Sequence, residues 1–262
     1  MLSTAVLRKA DYPEDIFYPD TDGEHIAEGD IQRDTLTYCV EALKHYFRAE
    51  PDVYVSGNLL FYYEQGNPYK SFAPDVFVVF GVPNYRRPIY KIWEEGKAPD
   101  IVIEITSKTT RKKDRDNIRL YSGLGVQEYF MFDPTGDYLD PVLQCQRLRN
   151  GRYYPIKTQT LPDGTLKADS LVLGLELRVK AEGLRFYNSK QQEYLFTYAE
   201  EKDGRLWAEA RAKQQSFRVE QEKARAEQEK VRAEQEKVRA DSAEEELRQL
   251  KAKLRDSGIL KD

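Results

Sequence analysis

Near residue 200 the chain changes character, and this break limits its possible folds more than any other feature. Before it, short apolar runs alternate with prolines and glycines. After it come Glu, Gln, Lys, Arg and Ala without a proline. The heptapeptide AEQEKVR stands twice in tandem, at 226–232 and 233–239, and QEKARAEQEK at 221–230 nearly copies it. A seven-residue repeat of helix formers predicts one long helix with coiled-coil tendency. One column reads Val219, Ala226, Ala233, Ala240, Leu247 and Leu254. Proper three-four alternation begins only at Ala240, Ala243, Leu247, Leu250 and Leu254. Two domains follow: a globular one over 1–200 and a charged helical tail over 201–262. The tail is either a solvated helix supported by Glu–Lys pairs or, over 240–254, a self-association segment that makes the protein a homo-oligomer.

The first 200 residues hold most of the aromatics and can build a core. The whole chain has 18 Tyr and is 40% hydrophobic. Its net charge of −4 rules out a protein-wide basic field, so nucleic acid would need a local patch. With only two His, a His-rich zinc site is nearly excluded. The two cysteines, Cys39 and Cys145, are far apart and have no metal spacing, which fits a reduced, cytoplasmic setting. No apolar stretch approaches the roughly 18 residues that span a membrane. The first residues turn acidic too early for a signal peptide.

Helical spacing of Leu36, Cys39, Val40, Leu43, Tyr46 and Phe47 predicts a helix over 33–49. Residues 52–68 read as a strand, a Gly-Asn break, a second strand and a turn. Strands follow at 73–81 and 98–107. A helix over 109–125 is capped by Thr109 or Thr110 and stopped by Gly123 or Gly125. A strand over 126–134 comes next. Strand-like pieces at 142–149, 152–158 and 171–179 extend or flank the sheet, and Pro-Asp-Gly at 162–164 is a turn. The fold class expected is α/β, with a mixed sheet, helices on its faces and a long C-terminal helix.

Two of these strands carry an acid in apolar company. Asp75 precedes Val76–Val79, and Glu104 lies between Ile103 and Ile105. Burying a carboxylate costs several kcal/mol, about, unless it is paired or binds a metal. If the strands are neighbours, the two acids meet and offer hard oxygen donors to Mg²⁺ or Mn²⁺, the ion that phosphodiester hydrolysis uses. Taken singly, Asp75 can be a strand-start cap, and Glu104 can face solvent with Val102 and Thr106. Asp100 also follows a proline, but it sits at the far end of the same strand as Glu104 and reads as its start. The helix after Glu104 carries Arg111, Lys112, Lys113, Arg115 and Arg119, either a solvated face or a patch for a phosphate backbone.

The stretches APDVFVVFG, PDIVIEITSKTT and DNIRLYSGLGVQEYFMFDPTGDYLDP, with DGTL and LGLEL further on, resemble the Uma-two family of bacterial proteins, within the restriction-endonuclease-like superfamily whose motif is PD-(D/E)xK. The resemblance covers most of residues 10–200, and a Glu-Lys-Arg-rich tail is a common appendage in that family. It implies a restriction-endonuclease-like core and a metal-dependent DNA endonuclease. It makes Asp75 and Glu104 metal ligands and the backbone carbonyl of Ile105 a third. The motif's lysine should stand two residues after Glu104, where this chain has Thr106. The alternative place, four residues before Tyr121, holds Asn117. Lys113, one turn earlier, is the preferred substitute, ahead of Lys108. Lys108, Arg111, Lys112 and Arg115 are the implied DNA contacts. Glu28 or Gln32 could add a group from the first helix. The alternative is a catalytically impaired nuclease-like scaffold that binds DNA or, through its tail, a protein.

Overall fold

In the computed structural model, which describes residues 16–21 and 29–256, the apolar runs become the strands of a central sheet. The side chains of 111, 112, 115, 252 and 254–256 lie outside that description. In chain order the elements are α1 (Asp30–Tyr46), β1 (Val53–Ser56), β2 (Phe61–Tyr62), β3 (Ser71–Phe72), β4 (Val76–Phe80), β5 (Tyr90–Lys91), α2 (Ile92–Glu95), β6 (Ile101–Ile105), α3 (Arg111–Leu124), β7 (Glu128–Phe132), β8 (Leu143–Arg149), β9 (Arg152–Ile156), β10 (Gln159–Thr160), β11 (Leu166–Ser170), β12 (Leu175–Lys180), β13 (Gly183–Asn188), β14 (Glu193–Tyr194) and α4 (Tyr198–Asp256). The fold is mixed α/β, as expected. The chain divides into two units, Met1–Glu200 and Glu201–Asp262.

In the first unit the central sheet has six strands in the order β1-β4-β6-β7-β8-β9. Val, Ile and Phe dominate β4, β6 and β7, where branched and aromatic side chains suit a pleated, buried surface. The pair β6–β7 is parallel and the other pairs are antiparallel. Helix α3 makes the crossover that a parallel pair requires. All five residues of β6 are buried. The possibility that Glu104 faces solvent therefore fails, because layers cover both faces of the sheet.

One face packs Ile101, Ile103 and Phe130 against Cys39, Ala42 and Leu43 of α1 and against Leu177, Leu184 and Phe186. Those last three belong to a second, five-stranded sheet, β10-β11-β12-β13-β14. Of the three pieces expected to extend or flank the sheet, 142–149 and 152–158 correspond to β8 and β9, which extend the central sheet. The third, 171–179, flanks it: residues 175–179 lie in β12 of this second sheet, which the sequence pattern does not separate from the first. The other face packs Phe77, Val102 and Tyr129 against Tyr121 of α3 and against Phe61 and Tyr90. Phe61 and Tyr90 come from a three-stranded sheet, β3-β2-β5. Fully burying one such aromatic or aliphatic side chain contributes about 1.5–3 kcal/mol.

Two buried acids are structural. Glu128 of β7 is ion-paired with Arg147 at 2.7 Å and accepts from the Ser170 hydroxyl and the Leu171 amide, which ties the two larger sheets together. Asp100 pairs with Lys97 at 2.7 Å and accepts from the Phe80 amide and Gln127 Nε2, fixing the start of β6 between β4 and β7.

In the second unit α4 runs without a break to Asp256. Its side chains from Lys202 to Lys251 are exposed. The pairs Glu227–Lys230 and Glu245–Arg248 are spaced three residues apart and solvent-exposed, so each is worth a few tenths of a kcal/mol, roughly. Among the described residues no helix is long and apolar enough to cross a membrane.

Candidate active site

The register of β4 on β6 decides where the two acids meet. Val76 lies opposite Ile103 and Phe77 opposite Val102. Continued by one residue, the register sets Asp75 opposite Glu104. The parity of the pleat puts both side chains on the face that α3 covers. Asp75 Oδ2 accepts the Ile105 amide at 2.7 Å, so a side chain extends the ladder where the strand pairing ends. Glycine is required at position 57 by contact, because a Cβ there would lie 2.2 Å from the Asp75 carbonyl oxygen. The Asn58 amide donates to the Pro74 carbonyl at 2.9 Å beside it.

Glu104 is 3% exposed. Its Oε1 accepts from Tyr121 OH at 2.5 Å and from Asn117 Nδ2 at 3.3 Å, both on α3. Burial pushes the Glu104 carboxyl well above the usual carboxylate range, and the adjacent Asp75 charge pushes it the same way. Burial also raises Asp75, against the Ile105 amide and the Lys113 charge, which favour its ionised form. The two carboxyls face each other across the β4–β6 register, close enough for each to act on the other's ionisation. Like charges this close oppose each other's ionisation, and a cation between them would favour the ionised forms.

An open pocket of about 450 Å³ exposes this pair. Its lining includes Asp75, Glu104, Ile105, Lys108, Lys113 and Gln32. Lys113 is an exposed residue of α3 whose charge acts on both carboxylates. Lys108 lines the same pocket but is ion-paired with Asp137 at 3.2 Å. Asp114, a further acid on the pocket wall, is pushed up to about 6 by burial. Thr110 heads α3 without capping it through its side chain. Its hydroxyl instead bridges Asp114 Oδ2 and the Ser107 loop. Thr106, at the place of the motif lysine, is buried, and its hydroxyl has no partner among the described residues. Among those residues no group of three or more His, Cys, Asp or Glu side chains is placed to hold a metal.

The structure thus brings together Asp75, Glu104, Ile105, Lys108 and Lys113 from the sequence reading, with Gln32 as the contribution of α1. Glu28 and the side chains of Arg111, Lys112 and Arg115 lie outside the described residues. The reading did not name Tyr121 or Asp114 as site residues. Lys113, Asn117 and Tyr121 stand four apart on one helix face, and this spacing was the available signal.

These features define a mixed α/β domain with two converging acids at an open, polar cleft. Residues 11–180 match the family model of Uma2, described as "Putative restriction endonuclease". The chain belongs to the Uma2 family. A solved structure from Anabaena variabilis, described as a "putative nuclease belonging to DUF820", is 17% identical; the match covers 52% of this chain and 74% of that one, with a TM-score of 0.39. No curated protein matches the chain.

Proposed function

We propose that this chain is a metal-dependent endonuclease that hydrolyses DNA phosphodiester bonds, with Asp75 and Glu104 holding Mg²⁺ or Mn²⁺. The carrying observation is the pair of carboxyls that the β4–β6 register sets opposite each other, Glu104 buried and Asp75 half-buried, both lining an open pocket. The donor set fits such an ion. Both side chains are hard oxygen donors, and burial leaves them short of solvation. Mg²⁺ is commonly held by one or two carboxylates with waters completing its shell. The Ile105 carbonyl is the proposed third protein donor. When bound, the ion polarises a phosphoryl oxygen and lowers the pKa of a water.

The chain's own residues supply the rest. Asp75 is fixed by the Ile105 amide, so its free oxygen has a defined direction. Lys113, on the pocket wall, places a positive charge where negative charge develops on the scissile phosphate. Lys108, with Arg111, Lys112 and Arg115, is proposed to hold the DNA backbone. The expected result is nicking of supercoiled plasmid in Mn²⁺ or Mg²⁺, abolished by EDTA and by Asp75→Ala. Cutting by Asp75→Ala at the parental rate would refute the assignment.

A second reading has its own observation. Thr106 and Asn117 are neutral where the family motif has a lysine, which favours a nuclease-like scaffold that binds without cutting. Lys113→Ala separates the two. It should lower the cleavage rate by about 10²-fold or more while leaving Mn²⁺ binding undiminished. An unchanged rate transfers the role to Lys108 or to water alone.

The tail is proposed to pair with a second copy through 240–254, since leucines at three-four spacing fill coiled-coil holes. Leu247 and Leu250 are exposed. Deletion of 205–262 should leave a folded domain that binds Mn²⁺ but has a lower oligomeric state by light scattering. An unchanged state means that the tail is a solvated helix.

A further inference from the structure

We propose that Tyr121 and Asn117 are positioning residues for the metal site, acting through Glu104; the inference rests on the metal-site reading above. Both donate to the same oxygen, Glu104 Oε1, at 2.5 and 3.3 Å. Both sit in the interior, Tyr121 fully buried and Asn117 nearly so. With two donors on Oε1, the carboxylate plane is set and Oε2 is the oxygen left to turn toward Asp75 and the pocket. Without them, a glutamate with several rotatable bonds would have to be ordered by the cation itself, at a cost in affinity.

The chemistry of the two donors matters as much as their number. A phenol and an amide are neutral, so they orient Glu104 without cancelling its charge. The Asp75–Glu104 pair keeps its full attraction for a divalent cation. Tyr121 is itself held rigidly. Its ring meets Phe72 and Tyr129 edge-on, with centroids 5.5 and 5.2 Å away, so its hydroxyl cannot follow a displaced carboxylate. Partners of this kind around metal ligands typically change affinity 10–100-fold, roughly.

The test is Mn²⁺ affinity, read from the electron paramagnetic resonance signal of the free ion, in the full-length protein. Tyr121→Phe removes only the hydroxyl and should weaken Mn²⁺ binding about tenfold or more. Asn117→Ala should weaken it by a smaller factor, and serves as the second variant if Tyr121→Phe does not fold. Plasmid cleavage by Tyr121→Phe should recover toward the parental rate at saturating Mn²⁺, which a purely structural defect would not allow. Parental affinity in a folded variant overturns the inference and leaves the metal site standing. Absence of Mn²⁺ binding by the parent overturns both.

Discussion

Glu104→Gln is expected to abolish metal-dependent cleavage and yet make the metal-free protein more stable. Metal catalysis supplies several kcal/mol of transition-state stabilisation, so losing a ligand should cost about 10³-fold or more in rate. The stability effect follows from the neighbours. The amide oxygen of glutamine can still accept from Tyr121 and Asn117, as Glu104 Oε1 does. Its NH₂ can donate to Asp75, replacing the apposition of two acids by a hydrogen bond to a charge. Such a bond contributes about 1.5–3 kcal/mol. At about 2–4 °C per kcal/mol for a domain of this size, the melting temperature should rise by roughly 3–12 °C.

The pH dependence has a definite sign. Both carboxyls are raised by burial, so the folded protein binds protons more tightly than the unfolded chain. The pair's contribution to metal-free parental stability is therefore greatest in acid and falls as pH rises from the ordinary carboxylate range through the raised one. Glutamine does not titrate. The advantage of the variant should be small near pH 4 and largest near pH 8, where Mn²⁺ should stabilise the parent and leave the variant unmoved. Thermal melts at both pH values with and without Mn²⁺ decide it. A variant less stable than the parent at pH 8 would show that the two acids do not oppose each other.

The acids were legible because an ionisable residue inside a β-branched run has few uses. The spacing of Asp75 and Glu104 let them meet, whereas Asp100 at the far end of β6 could not join them. Asn117 and Tyr121 gain their roles only when the parallel β6–β7 pair brings α3 across the sheet, a long-range fact that helix periodicity does not contain. The second sheet was hidden for a different reason. Its strands β11 to β13 alternate inward residues such as Leu177 and Phe186 with charged ones such as Arg178 and Arg185, and β10 and β14 are two residues long. Short half-exposed strands give a weak signal beside β4 and β6, which are apolar but for Glu104. The helix ends moved for local reasons. Helix α1 starts at Asp30 rather than 33, and Gly125, in the left-handed conformation, ends α3.

Gly57→Ala should damage both fold and site, although residue 57 touches neither metal nor substrate in the proposed mechanism. The sequence presents Gly57-Asn58 as a simple break between strands. In the structure its α-carbon lies against the backbone of Asp75, and an added Cβ would fall 2.2 Å from that carbonyl and 3.0 Å from Val40 Cγ2. The nearer atom is main chain and cannot swing away as a side-chain tip would. The segment must therefore separate from Pro74–Asp75, straining the Asn58 to Pro74 hydrogen bond and pressing on α1 through Val40. Overpacking of this kind costs about 1–3 kcal/mol, and a lost backbone hydrogen bond adds about 1 kcal/mol. A melting temperature lower by roughly 5–15 °C follows. Any shift that reaches Asp75 also pulls its carboxylate from the Ile105 amide, and a misplacement of about 1 Å can cost 10²-fold in rate. Cleavage and the Mn²⁺-induced rise in melting temperature should thus fall together in Gly57→Ala. Gly204→Ala, where nothing lies within 4 Å of the added Cβ, is the control and should leave both unchanged. Parental stability in Gly57→Ala would mean that the strand junction yields without moving Asp75, and that the close approach does not set the site.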